Sequence, residues 1–308
     1  MTRAGKITIS ASRRTDIPAF YMEWLMDRIV NRGFFETVNP YSRKTSVVPA
    51  GPDQVGAIVF WSKNFGPFLK EKRGETLLKK GFHLYFHFTL NSKDRLLEPR
   101  VPPLEDRLEQ MKALSERFGA QNVNWRFDPV CFYRTSGKSR HNLADFPVIA
   151  ETAARGGVAS CVTSFMDHYP KISRRIPAQS GFGFFDPPLS RKIETALRME
   201  NLLAPMGIAL SLCCEKAVLE GLPAESNIQK SACVPNDFFI REFGGPLSTS
   251  RDRGQRPGCG CMVSVDVGVY HLHPCPHDCL FCYANPQSAR LPETPGKNPG
   301  RKNGGRFQ

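Results

Sequence analysis

The recurrence of short apolar runs constrains this chain more than any other feature. Seven are found, at 7–12, 57–61, 83–90, 123–127, 158–165, 208–213 and 262–270. Each has the length of a strand and is rich in β-branched or aromatic residues. Helical spacing fills much of the space between them. It runs from Pro18 to Ile29 and closes near Gly33, then covers 65–80, 104–118 with Gly119 as its stop, 143–155 with Gly156-Gly157 at its end, and 189–206. Alternating strands and helices imply a parallel sheet, whose buried strands read as nearly continuous apolar runs. About seven such units predict an α/β fold, a TIM-like (β/α) barrel that is complete or partial. An open doubly wound sheet is the alternative. Residues 37–40 and 45–49 are expected to pair as a small hairpin, and 170–188 reads as a Pro- and Gly-rich loop. No glycine-rich dinucleotide fingerprint and no P-loop is present.

A chain of 308 residues with 41% hydrophobic and 23% charged residues buries a large core. A single domain is expected over 1–289, including a cysteine-rich segment at 255–285. The tail 290–308 holds five basic residues and one acidic residue among Gly and Pro, and is expected to be disordered. No apolar run approaches the ~18 residues of a membrane span, so no membrane partner is expected. The N-terminus lacks the apolar core of a signal peptide, which predicts a cytoplasmic protein. There, ten cysteines point to metal ligands or core thiols rather than disulfides. The net charge of +13 suits a phosphate-bearing or nucleic-acid partner, or simply a basic enzyme.

In a barrel, chemistry gathers at the C-terminal ends of the strands. Arg13, Arg14, Asp16, Ser62, Lys63, Asn64, Asn91, Asp128, Asp167 and Glu215 fall at such ends. Asp, Asn and Ser there also serve as helix caps. Arg13, Arg14 and Lys63 do not, because cations are unfavourable at helix N-termini. They are predicted to bind a carboxylate or phosphate, or to pair with Asp16 or Asp128. His83 and His87 share a strand face with Tyr85 and read as core.

The strongest chemical signal is Cys275-Pro-His-Asp-Cys279-Leu-Phe-Cys282, three cysteines at C-x3-C-x2-C spacing. One tight loop then places three thiolates on one small inorganic object. Iron–sulfur clusters normally take four cysteines, so three on a [4Fe–4S] cubane leave one iron open. Zinc is the other reading, completed by His277, His273 or Cys261, although structural zinc favours C-x2-C pairs. Cys214, Cys233, Cys259 and Cys261 make a second set of four, suited to a second [4Fe–4S] cluster or to plain buried thiols. Cys131, Cys161 and Cys213 lie in apolar runs and are predicted to be core.

The C-x3-C-x2-C loop, with Phe281 before its last cysteine, resembles the cluster motif of radical S-adenosylmethionine (SAM) enzymes. The whole chain resembles an uncharacterised bacterial family, domain of unknown function eighteen forty-eight. The matching features are Ser-Ala-Ser-Arg-Arg-Thr-Asp at 10–16, Trp125-Arg-Phe-Asp128-Pro129, Cys214-Glu215, and 255–285 from Gln255-Arg256 to Asn285. The resemblance implies an iron–sulfur protein that makes a 5′-deoxyadenosyl radical from SAM, on an unknown small-molecule or nucleic-acid substrate. A ferredoxin or flavodoxin would supply electrons. Cys275, Cys279 and Cys282 would hold the cluster. Phe281, Ser12 and Asn285 would contact the cofactor, and Arg13, Arg14, Asp16, Lys63 and Asp128 would do catalytic work. In radical SAM enzymes the cluster loop follows the first strand, whereas here it follows the last, so the barrel would be circularly permuted. The usual Gly-Gly-Glu for the SAM amino group is missing, and Ser12 to Asp16 fall in its place. The rival expectation is a zinc- or cluster-stabilised nucleic-acid-binding protein without radical chemistry.

Overall fold

In the computed structural model, residues 5–38, 44–176 and 180–284 are described; the tail 290–308 and Asn285 lie outside them. The chain enters through β1 (Ile7–Ala11), buried along almost its whole length. It continues into α1 (Ile17–Phe20) and α2 (Met22–Asp27). Asp16 caps α1 by accepting from the Ala19 amide at 3.0 Å, and Pro18 sits in the first turn. A π-helical turn carries α2 to Arg32, and Gly33 ends it at φ 73°. β2 (Phe34–Val38) and β3 (Thr45–Pro49) form the antiparallel hairpin expected nearby.

β4 (Val55–Ser62) is followed by α3 (Gly66–Lys70) and α4 (Arg73–Lys79). These two replace the single helix predicted over 65–80, because Lys72 takes a left-handed φ of 51° between them. Next come β5 (Leu84–Thr89), α5 (Leu104–Phe118), β6 (Val123–Val130), β7 (Phe132–Thr135), β8 (Lys138–His141) and α6 (Phe146–Arg155). Then follow β9 (Ser160–Phe165), α7 (Pro170–Ser173), β10 (Phe182–Phe184), α8 (Leu189–Leu203) and β11 (Ala209–Leu212). The last elements are α9 (Lys216–Glu220), β12 (Gln229–Lys230), α10 (Asn236–Phe243) and β13 (Val265–Asp266). Only two residues of the predicted 262–270 run therefore pair as strand. β12 was not anticipated, since its two exposed residues carry no apolar pattern.

Eight strands form one sheet in the order β12-β11-β9-β6-β5-β4-β1-β13, and every neighbouring pair is parallel. From β1 to β12 each strand lies beside its predecessor in the sheet. β13, last in the chain, lands beside β1, with Ile9 opposite Val265. β12 and β13 are the two edges, and no ladder joins them among the described residues. β7, β8 and β10 form a separate antiparallel sheet.

Alternation along the strands separates two faces. Ile58 and Phe60, Leu84, Phe86 and Phe88, and Trp125 and Phe127 pack with the helical residues Phe68, Leu77, Met111, Leu114 and Ile149. Each such fully buried aromatic or aliphatic side chain contributes roughly 1.5–3 kcal/mol. The opposite face carries Ala57, Val59 and Tyr85, which pack on Phe239 of α10 together with Val234 and Leu247. Thr8 donates to Asn236 at 2.8 Å, and Asn236 donates to the Ser248 and Val263 carbonyls at 2.7 and 2.9 Å. These bonds fasten the segment around α10 across the N-terminal half of that face. The C-terminal half keeps polar side chains and stays uncovered by α10. His87, expected as core, is fully buried there; His83 precedes β5 and stacks on Phe243 instead. Cys131 and Cys161 are buried in the core as expected. No helix among the described residues is long and apolar enough to cross a membrane.

Candidate functional site

A cavity of about 260 Å³ opens where the parallel strands end. Its wall takes residues from the C-terminal end of seven of the eight sheet strands, and from the segment that follows β13. Ser12 to Asp16 come from β1, Trp61 to Lys63 from β4, Arg126 and Asp128 from β6, and Ser164 to Asp167 from β9. Cys213 and Cys214 follow β11, and Cys233 follows β12. Cys275, His277, Cys279 and Phe281 to Ala284 close the remaining side.

Most of the expected strand-end residues share this wall, and their bonds define their roles. Asp16 is fully engaged: it caps α1, accepts from Ser62 at 2.7 Å and from the Lys63 amide at 2.8 Å, and bonds His277 Nε2 at 2.9 Å. It ties the ends of β1 and β4 to the cysteine loop. Ser12 donates to Asp266 at 2.5 Å, and the Arg13 amide donates to the same carboxylate at 2.7 Å. Arg14 donates from Nη1 to the Gly268 carbonyl at 2.9 Å. A Cβ at Gly268 would collide with the Ser12 side chain, so only glycine allows this approach. Lys63 pairs with buried Glu98 at 2.5 Å and lies 5.3 Å from the centre of the Phe281 ring. Burial works against the Lys63 charge, but Glu98 and Cys279 outweigh it and raise its pKa. Asp128 accepts from Ser164 at 2.5 Å and from Arg126. Asn64, Asn91 and Glu215 turn away into local bonds: Asn64 to Gly66 and Gln110, Asn91 to Glu98 and Asp128, and Glu215 to the Phe165 amide. Asn285 lies outside the described residues.

Cys275, Cys279 and Cys282 all line the cavity. The Cys282 amide donates to the Cys279 carbonyl at 3.0 Å, which closes the loop on itself. Arg175 donates to the Cys279 carbonyl at 3.1 Å and to that of Cys282 at 2.5 Å. Burial first, then Asp16 and Cys282, push the Cys275 thiol up to about 12. Burial also raises Cys279, aided by Glu98 and the other two thiols and opposed by Lys63. His277, one expected alternative ligand, is committed to Asp16. His273 accepts from the Val269 amide at 3.1 Å and packs against Tyr21 and Trp24.

The second cysteine set lines the same cavity from the ends of β11 and β12 and from the loop before β13. Cys213 and Cys214 have their sulfurs 3.8 Å apart, and Cys214 and Cys259 interact side chain to side chain. The Cys261 amide donates to Cys259 Sγ at 3.4 Å, and Arg126 Nη1 donates to Cys233 Sγ at 2.7 Å. Hydrogen bonds from Cys213 and Cys259, and the nearby Arg256 charge, hold Cys214 well below the usual thiol range. Among the described residues no three His, Cys, Asp or Glu side chains are set to hold a single metal ion.

The family model described as "Domain of unknown function (DUF1848)" matches residues 8–284. The chain belongs to that family. The match spans both cysteine sets and every described residue of the cavity wall. No curated protein matches this DUF1848 chain. Among solved structures, a dihydroorotase is similar at 11% identity over 74% of this chain and 69% of its own, with a TM-score of 0.26. A protein described as a fructose-1,6-biphosphate aldolase from Coccidioides immitis is similar at 10% identity, over 82% and 83% of the two chains, with a TM-score of 0.24. Likeness at this level carries no argument.

Several wall residues of this DUF1848 protein carried little or no signal in the sequence. Cys213 is buried among apolar residues as expected, and it also lines the cavity beside Cys214, because it directly follows the C-terminal end of β11. Arg126 sits inside an apolar run, yet alternation turns it away from Trp125 and Phe127 onto the cavity face. Its pKa is raised despite burial, by Asp128, Cys233 and Cys213. Trp61 donates to Ser10 at 3.0 Å, stacks on His87 and lies under the guanidinium groups of Arg13 and Arg126. Arg256 pairs with Asp167 at the rim.

Proposed function

We propose that this cavity is the active site of a radical-SAM-like iron–sulfur enzyme on a (β/α) barrel that is left open and circularly permuted. The observation that carries the reading is that Cys275, Cys279 and Cys282 face one cavity together with the end of β1. Two further features support it. β13 lies parallel and adjacent to β1, the relation a permuted barrel requires. His87 Nε2 on β5 lies 2.5 Å from the Cys233 carbonyl, so the segment after β12 crosses to a central strand, as it would inside an open barrel.

The donor set fits a [4Fe–4S] cluster with one open position. One loop offers three thiols, and the wall around them holds no fourth cysteine from that loop. Burial keeps Cys275 and Cys279 protonated, so a cationic centre is what would draw out their thiolates. Among the described residues the hydroxyl of Thr15, a cavity-lining residue, has no hydrogen-bond partner, and neither has Asp278 Oδ1 in the loop. Cluster and SAM, when bound, supply one-electron cleavage of the sulfonium and hydrogen abstraction from a substrate. The chain's residues bind and orient. Phe281 presents a ring for the adenine, and Thr15 presents a hydroxyl to the bound molecule. Arg13, Arg14 and Lys63 place positive charge where a carboxylate is to be held. Ser12, Asp16 and Asp128 act as positioning residues, since their oxygens are already engaged.

Anaerobic purification tests this directly. A Cys275→Ala/Cys279→Ala/Cys282→Ala variant is expected to lose about four irons per chain relative to the parent protein. The parent, reduced with dithionite, is expected to release 5′-deoxyadenosine from SAM. Unchanged iron in the variant defeats the ligand assignment. Iron lost without any 5′-deoxyadenosine from the parent defeats the SAM assignment alone.

A further inference from the structure

We infer that Cys214, Cys233, Cys259 and Cys261 form a second iron–sulfur site in the wall of the same cavity, separate from the Cys275 loop, with all four cysteine positions filled. The inference stands apart from the SAM reading, because it rests on a different part of the chain. Three separate segments supply the sulfurs: the turn after β11, the turn after β12 and the loop before β13. Chance burial of small apolar thiols would not gather them at one cavity wall. Their neighbours are those of ligands. The Cys261 amide donates to Cys259 Sγ, and Arg126 donates to Cys233 Sγ at 2.7 Å. Hydrogen bonds to ligand sulfurs are how proteins tune such clusters. Arg13 and Arg256 line the same wall and supply the positive charge that four thiolates need.

The backbone is committed to this gathering. Gly260 separates Cys259 from Cys261, and a Cβ there would collide with the Ser231 carbonyl two residues before Cys233. This close pass, with the Met262 amide donating to the Val234 carbonyl at 3.0 Å, runs the Cys259–Cys261 segment alongside the one that carries Cys233. Zinc needs all its ligands about 2.0–2.3 Å from one point. No described trio meets the condition for a single ion. A polynuclear cluster seats each thiolate on a different iron and so accepts a wider set. With four cysteines no iron is left open, which assigns the site to electron transfer. It would take one electron from a protein carrier and pass one electron on, with no proton or bond change.

The full chain, reconstituted anaerobically with ferrous iron and sulfide, provides the test. The parent protein is expected to hold about eight irons, and the triple alanine variant at 275, 279 and 282 about four. That variant, reduced with dithionite, is expected to keep a cubane paramagnetic resonance signal that SAM does not alter. Cys259→Ala/Cys261→Ala is expected to hold about four irons and to lose that signal. About four irons in the parent, none in the triple variant, or one zinc in place of iron each overturns the inference. Should either variant fail to fold by circular dichroism, the parent iron count still decides, since a chain with one cluster holds about four.

Discussion

Each cysteine set of the cavity holds one partly exposed thiol that departs from the ordinary range, Cys275 upward and Cys214 downward. The Cys275 loop has Lys63, Arg107 and Arg175 near its thiols, yet burial raises Cys275 and Cys279. The Cys214 wall sits among Arg13, Arg126 and Arg256, and Cys214 is held low. Burial works against ionisation at both residues; at Cys214 hydrogen bonds from Cys213 and Cys259, with the Arg256 charge behind them, outweigh it, and those two partners are raised in turn. Cys214 alone is made ready as a thiolate before any metal arrives. Cys275 awaits a positive centre.

The sharpest way to break this contrast needs no substitution. In metal-free protein, alkylation of Cys275 is expected to rise about tenfold per pH unit from pH 6 to 9, close to a thousandfold overall. A thiol with a pKa of about 12 is far below half-ionised throughout that range. Cys214 is below the usual thiol range and already ionised, so its rate is expected to stay flat. Both residues are partly accessible, which makes the comparison fair. Peptide mass spectrometry of iodoacetamide-treated protein reads both rates at once. Parallel rises at the two residues would remove the distinction between them.

The two cysteine sets also differ in how far they could be read in advance. The Cys275 loop is local, and spacing alone places its sulfurs together. The second set depends on topology, since β11, β12 and the loop before β13 meet only in the folded sheet. Cys213 was hidden because it ends an apolar run, and Arg126 because one cation within Val123–Phe127 gives no periodic signal. The parallel βα rhythm was legible because burial on both faces leaves an unbroken apolar run. The length of β13 was not: Gly268, pressed against Ser12, ends pairing within a run that still looks apolar.

A substitution of middling effect sharpens the electrostatic side. Arg126→Leu leaves the partly buried Asp128 without its cation and Cys233 without its donor. The expected loss is about 3 kcal/mol, at the lower end for a broken buried pair because Asp128 keeps some contact with solvent. Urea unfolding of the metal-free protein measures it. Arg126→Lys is expected to recover part of the loss, since charge returns without the fork geometry. A loss below about 0.5 kcal/mol would mean that the cationic frame does not stabilise this wall.

The smallest effect separates folding from binding on the other wall. Thr15 lines the cavity with the Cys275 loop, and its buried hydroxyl has no partner among the described residues. An unpaired buried hydroxyl contributes nothing to the fold and costs its desolvation. Thr15→Val keeps the shape, so stability is expected to change by no more than about 0.5 kcal/mol, in the stabilising direction if at all. A hydroxyl that bonds a ligand behaves differently: its removal is expected to weaken SAM binding about tenfold, equal to a hydrogen bond of about 1.4 kcal/mol. Equilibrium dialysis with SAM, beside urea unfolding of the same variant, separates the two quantities. A variant that loses stability and binds SAM unchanged would show Thr15 to be a structural residue, and its hydroxyl would no longer count as a group reserved for a ligand.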